Sequence, residues 1–586
     1  VQLLLNNSGC KFRSLIKKTI FEDIKMARNK RKILSLYEPI LYPDHKLPVT
    51  RRDFLNAGFI TSAATVMMPS IFSLLFSKQA RAIDTLPDVH CGIVEGSAGG
   101  SGKIPFMCFD LGGGANMAGS NVLVGQQGGQ LDPLSAAGYN KMGLPTAMTP
   151  LADPATVNTE LGLAFHADSA FLRGIISKTS PECRANVNGA VIPARSDNDT
   201  GNNPHNPMYG IAKASADGEL LTLIGTTNSD SGGRSMAPAS MMDPTIRPTK
   251  ISSRNDTRGL VDTGAVSALM PDPDEAGRIM KAVEKISLAK IDGTTTDSIP
   301  QDVLPESTTN MTVQNLVHCG YLKTTKTVSS FGGPGDVDPA EDPVMITSTP
   351  PGTADNLSDD ATLRAAVTDS TGIFTQDEVM NGRLASTAAV LKLVGPGYAG
   401  AGTVSLGGYD YHNGTRGTGE VRDFEAGQAI GACLQYAHKL NKPIMVYVFT
   451  DGSLASNGNV DDGDQNGRGK GVWTGDNSST SAAFFLVYKP GGRPELLSTT
   501  GQTAAQHQQL GHFRASGSVE TNGTTPGANS PNLLAEMCVL NYLALHNEIG
   551  RLSEVLPNHS LGSTAADFEK LVAFNAIVNG TITNPM

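Results

Sequence analysis

An α/β layered sheet, mainly parallel and interrupted by long loop-rich insertions, is the fold class that this 586-residue sequence predicts. Three observations carry it. Strand-length apolar runs alternate with helix-length periodic segments over the last third of the chain, the order expected of an α/β sheet. Three apolar runs, ending at Phe109, Leu406 and Phe449, close in polar turns, where open α/β sheets collect their chemistry. The 64 Gly and 34 Pro, with aromatics at only 5%, indicate long ordered loops around a modest set of elements.

Residues 1–82 predict a cleaved twin-arginine signal region. Thr50-Arg51-Arg52-Asp53-Phe54-Leu55 carries the twin-arginine pattern, Ala57–Phe76 is uncharged, and Ala80-Arg81-Ala82 offers a small-x-small cleavage site. The competing reading is a transmembrane anchor, since the stretch is long enough to span a bilayer. Gly58, Thr61, Ser62, Thr65, Pro69, Ser70 and Ser73 leave it only mildly apolar, which favours a signal. The expected location is therefore periplasmic or secreted, with no membrane span in the mature form. Of 46 basic and 56 acidic residues, 14 and 5 fall in 1–82, leaving 32 against 51 and a formal charge of −19. Such a surface repels phosphate backbones, which excludes nucleic acid and leaves an unidentified protein or small molecule as the expected partner.

Residues 83–185 predict the N-terminal part of the α/β core. Ile104–Phe109 is a buried strand, and Asp110 through Asn116 form the sharp turn at its carboxyl end. The preceding Gly96–Lys103 loop is not a phosphate-binding loop, because Ser97 stands where the first Gly belongs and the loop precedes a strand. Residues 186–375 predict a loop-rich surface insertion with Asp-Pro steps at 243, 272, 338 and 342 and a helix near Asp274–Lys290. Residues 376–586 predict the C-terminal part of the core. Its elements are a helix near Thr375–Leu393, a strand at Thr403–Leu406, an amphipathic helix over Val421–Asn441, strands at Ile444–Phe449 and Ala482–Tyr488, and a helix over Pro531–Glu548. Cys108, Cys433 and Cys538 fall in apolar patterns that predict buried thiols, and Cys91 with Cys183 or Cys319 is the one pairing class considered.

The polar ends of the three runs are Asp110–Asn116, Gly407-Gly408-Tyr409-Asp410-Tyr411-His412 and Thr450-Asp451-Gly452-Ser453. Carboxylates and an imidazole gathered on one edge suit a hard or borderline divalent cation, with Asp110, Asp410, His412 and Asp451 as candidate ligands. Taken singly, each has a plainer role as a turn or cap residue. Asp462-Gly463-Asp464-Gln465-Asn466-Gly467 matches the opening of a calcium loop, with Asp462, Asp464 and Asn466 as ligands. The twelfth position is Trp473 instead of Glu, so an EF-hand is excluded and a solvated acidic turn is the alternative.

These segments, in this order behind a twin-arginine signal, resemble the exported bacterial family called domain of unknown function 1501, related to the alkaline phosphatase and sulfatase superfamily. LGGGANMAGSN (111–121), GGYDYH (407–412), VYVFTDGS (446–453) and TGDN (474–477) carry the resemblance, over about a third of the chain beyond the signal. It implies an alkaline-phosphatase-like three-layer sandwich, a divalent transition metal, a nucleophile for which Ser120 is the best-placed hydroxyl, and a His205 loop near the site. Two ligand positions depart from the family pattern, because its acidic residue falls on Asn116 and its His on Asn477. Loss of an anionic and an imidazole ligand weakens a two-metal hydrolytic site severely. The expectation is thus an exported non-catalytic binding or assembly protein holding one transition metal, with calcium in the later loop; the alternative is a metal-dependent phosphate- or sulfate-ester hydrolase using Ser120, Asn116 and Asn477.

Overall fold

β1 (Phe106–Gly112) is apolar at almost every position and buried along its whole length, as a strand covered on both faces must be. The computed structural model describes residues 102–196, 203–243, 246–261, 335–346, 367–368, 371–461, 465–498, 501–522 and 525–582. The signal region, the helix expected at Asp274–Lys290, Cys91, Cys319, Asp462 and Asp464 lie outside them.

A short antiparallel pair, β2 (Val157–Leu161) and β3 (Leu163–His166), stands apart from the main sheet. The sheet's other members are β4 (Val187–Pro193), β5 (Leu221–Gly225), β6 (Thr249–Lys250), β7 (Ala399–Gly407), β8 (Ile444–Thr450) and, after the hairpin β9 (Leu454–Val460) and β10 (Gly471–Asp476), β11 (Ala482–Tyr488). Their order is β4-β11-β8-β1-β7-β5-β6. β1 pairs in parallel with β7 and β8, and β11 alone runs against its neighbours. The fold is α/β with a seven-stranded, mostly parallel sheet. β4, β5 and β6 come from residues 187–250, so that part of the expected 186–375 insertion belongs to the sheet.

Helices cover both faces. On one, Met107, Phe109 and Leu111 pack with α1 (Ala170–Ile176), α3 (Ala385–Val394) and α4 (Arg416–Lys439); on the other, Phe106 and Cys108 pack with α2 (Met208–Lys213) and α5 (Pro531–Leu545). The helix expected over Thr375–Leu393 is two pieces. Thr375 and Glu378 form a capping box for a single turn, Gln376–Met380, and Asn381-Gly382 then breaks the helix before α3. Residues 338 and 342 also depart from a surface insertion. Asp338 is buried and paired with Arg254 and Arg258, and Asp342 receives Lys392 Nζ at 2.6 Å. Cys108, Cys433 and Cys538 are buried free thiols, as expected.

α4 is not amphipathic. It is buried on most sides, because α1 lies across it at backbone distance. A Cβ on Gly427 would sit 2.3 Å from the Phe171 carbonyl oxygen, and one on Gly174 2.2 Å from that of Phe424. A buried, all-round helix loses the apolar stripe on which a period-based reading depends. Gly427→Val should force the helices apart and cost about 3 kcal/mol, the upper part of the usual range for overpacking. The urea midpoint of the variant against wild type measures it, and an unchanged midpoint would mean the helix pair is not tightly seated.

Candidate functional site at the carboxyl edge of the sheet

The carboxyl ends of β1, β7 and β8 lie side by side, because the three strands are parallel neighbours in matched register: Gly112 faces Gly407, and Leu111 faces Thr450. The three predicted turns therefore meet on one edge, although the first starts only after Gly112, because Asp110 and Leu111 continue β1 instead of opening the turn. Asp410 and His412 follow β7, and β10 brings in Asp476. His412 Nε2 lies 2.9 Å from Asp410 Oδ1, and its Nδ1 lies 3.7 Å from Asp476 Oδ1. These three side chains offer donor atoms within 4.8 Å of one another, the one such group of three or more among the described residues. Asp410 and Asp476 are exposed and His412 is half-buried. Two carboxylates and an imidazole are donor types that suit a borderline divalent cation, but here Asp410 and Asp476 meet different nitrogens of the His412 ring, so a single cation would take one of those nitrogens and draw the other carboxylate toward it. Asp476 lies inside the TGDN motif but was not legible as a ligand candidate, because only the pairing of β10 with β9 carries it to this edge.

The wider expected shell is not assembled. Asp110 and Asp451 are buried and committed to backbone donors. Asp110 Oδ2 accepts from Arg234 N and Ser235 N, each at 2.7 Å, and Oδ1 accepts from the Ser235 hydroxyl at 3.0 Å. Burial raises its carboxyl above the ordinary carboxylate range despite these bonds. Asp451 Oδ1 accepts from Gly113 N at 2.7 Å; burial, with the nearby Asp110 charge adding to it, pushes its carboxyl up to about 6. Asn477 forms a local turn, its Oδ1 accepting from Ser479 N and Oγ. Asn466 is exposed, and its candidate co-ligands Asp462 and Asp464 lie outside the described residues.

Asn116 and Ser120 belong to a buried network beneath the edge. Ser120 Oγ accepts from Asn116 Nδ2 and from Arg416 Nη2, the latter at 2.8 Å. Arg416 lies 4.4 Å from the centroid of Trp473, the only tryptophan, which in turn packs on Tyr411. Arg416 Nη2 also reaches Glu420, whose carboxylate takes Lys470 Nζ at 2.8 Å on both oxygens and Arg173 Nη2 at 3.3 Å. Burial alone would raise Glu420, but Lys470, Arg416 and Arg173 together hold it below its ordinary value. A buried ion is tolerated only when its partners answer it, and removal of one costs roughly 3–5 kcal/mol. This network ties α1, α4 and the β9–β10 hairpin together under the Asp410–His412–Asp476 cluster.

His205 lies apart from that cluster. It is buried with its ring stacked on Phe449 at 6.0 Å, and burial lowers it to about 4, so it is neutral near pH 7. His166, His438 and His546 are held in structural contacts: His166 Nε2 meets Met148 O, His438 Nδ1 meets Tyr488 Oη, and His546 Nε2 accepts from Ile104 N. No protein family, no curated protein and no solved structure was found to match this chain.

Asp423 supports the site from below. Its carboxylate accepts from Tyr411 Oη at 2.7 Å and Asn121 Nδ2 at 2.8 Å, and burial pushes it up to about 7. An unfolded aspartate titrates near 3.9. Between those values the folded chain holds more protons than the unfolded one, so this group's contribution to stability is full below about 4 and lost as pH rises through 7. Asp423→Asn removes the slope. Its stability relative to wild type should grow by on the order of 3 kcal/mol from pH 4 to pH 8, read from urea midpoints at each pH; a pH-independent difference would contradict the buried, proton-holding carboxyl.

Proposed function

We propose that this chain is an exported binding or assembly protein with an alkaline-phosphatase-like α/β fold, holding one divalent transition metal at Asp410, His412 and Asp476 and not hydrolysing esters. The observation that carries this reading is the commitment of the groups a hydrolytic centre would need. Two-metal catalysis requires anionic ligands around a second ion and a hydroxyl or water free to attack. Asp110 and Asp451 already accept backbone N–H groups, and both lone pairs of Ser120 Oγ are taken by Asn116 and Arg416. The alkaline-phosphatase-like assignment is supported by the arrival of LGGGANMAGSN, GGYDYH and VYVFTDGS on neighbouring strands at one edge. Export is supported by Arg51 and Arg52 before an uncharged run. No helix among the described residues is long and apolar enough to cross a membrane.

Trp473 supplies the test of the metal reading. It lies on β10, three residues before Asp476, and packs on Tyr411 beside His412, so a bound cation should change its fluorescence. Titration with zinc or manganese should saturate at one ion per chain, and His412→Ala or Asp476→Ala should weaken binding at least about tenfold, since loss of even an outer-shell partner costs that much. Neither wild type nor His412→Ala should turn over phosphate or sulfate monoesters with added zinc, manganese, magnesium or calcium. Robust hydrolysis abolished in His412→Ala would establish the ester hydrolase instead.

Export has its own expected outcome. Replacing Arg51 and Arg52 by Lys should leave unprocessed precursor in the cytoplasm, detected by fractionation and blotting. Normal processing and export of that variant would remove the twin-arginine assignment.

A further inference from the structure

We propose that a cavity on the same edge, formed by the loop that follows β5, binds a small amphipathic anion: a carboxylate or sulfate carrying an apolar chain, anchored by Arg234. The cavity measures about 370 Å³ and is lined by Asn228, Asp230, Arg234, Met236, Met242 and Arg247 among others. That lies within the range of small-molecule sites, roughly 300–1,000 Å³.

Arg234 is held ready for a ligand. Its backbone N–H is fixed by the buried Asp110 carboxylate, and the loop around it is braced by Ser229 Oγ on Gly233 O at 2.6 Å and Asn206 Nδ2 on Ser231 O at 3.1 Å. The side chain then runs across the ends of β1 and β7 in a channel that exists because both strands end in glycine. A Cβ at Gly112 would lie 3.0 Å from Arg234 Cδ, and one at Gly407 would lie 3.5 Å from Nη1. Arg234 is exposed, and its guanidinium makes no ion pair or hydrogen bond among the described residues, although the Asp110 and Asp451 carboxylates lie near enough to feel its charge. A positioned, unpaired guanidinium beside a cavity is suited to a carboxylate or sulfate, which it meets with two parallel N–H donors.

The other walls set the rest of the ligand. Arg247 is offset by Asp230, 3.4 Å away, and the buried Asp110 and Asp451 carboxylates lie near Arg234, so the cavity carries little net charge and suits a monoanion better than a polyphosphate. Met236, 48% exposed, and Met242 supply an apolar, adaptable surface for a chain. An exposed methionine next to an unpaired arginine matches a ligand with one charged end and one apolar end.

Calorimetric titration of the purified chain with octanoate, in EDTA, tests the assignment, with octan-1-ol and sodium sulfate as the apolar-only and charge-only comparators. Saturable one-to-one octanoate binding is expected, with octanol and sulfate at least about tenfold weaker. Arg234→Met should lose octanoate at least tenfold while keeping the wild-type melting temperature, and Arg234→Lys should bind between the two, because an ammonium keeps the charge but not the two parallel donors. Absence of saturable octanoate binding, octanoate binding within twofold of wild type in Arg234→Met, or sulfate binding as tight as octanoate would each overturn the proposal. His412→Ala should bind octanoate normally; loss there would place the ligand at the Asp410 cluster and overturn assignment to this cavity.

Discussion

The Asp110 carboxylate, buried in the central strand of a parallel sheet, is the constraint around which the carboxyl edge is built. Its charge can leave water only if donors meet it, and the loop from β5 provides them through Arg234 N, Ser235 N and the Ser235 hydroxyl. Gly233 is required for that approach, since a Cβ there would sit 2.7 Å from Asp110 Oδ2. One buried carboxylate thereby fixes a loop, aims an arginine along the sheet edge and takes itself out of contention as a metal ligand.

Glu420 does the same on the opposite side of the edge. Three cations converge on it from α1, α4 and the loop before β10, and the aromatic pair Tyr411 and Trp473 closes over Arg416. The cluster of Asp410, His412 and Asp476 rests on this support, with β10 delivering Asp476 and the Tyr411–Trp473 contact holding His412 nearby. Acidic groups at this edge thus divide by burial. The buried ones serve packing and hydrogen bonding, and the exposed ones are left for a ligand.

How much was legible in advance follows the same division. β1, β8 and β11 were readable because buried strands are continuous apolar runs, and Asp410 with His412 because they follow such a run by a few residues. β4, β5 and β6 were hidden inside a segment whose Asp-Pro steps and glycines resembled surface loop. The sharp turns there do not prevent short buried strands between them. α4 was placed within a few residues, yet its face pattern was misjudged because Gly174 and Gly427 let a second helix cover what would have been its polar side.

The sequence by itself determined the α/β class, the burial of Cys108, Cys433 and Cys538, the acidic balance, and the gathering of three polar turns at one edge, since each depends on local pattern and strand direction. Tertiary structure alone decided which carboxylates are available. Asp110 and Asp410 look alike as residues following or ending an apolar run, and nothing local separates them. The difference is that N–H groups 124 and 125 residues away reach Asp110, whereas Asp410 stands in solvent beside an imidazole and a carboxylate brought in from β10. Long-range hydrogen bonding, which leaves no trace in composition or period, tied one carboxylate into the scaffold and left the other exposed at the edge.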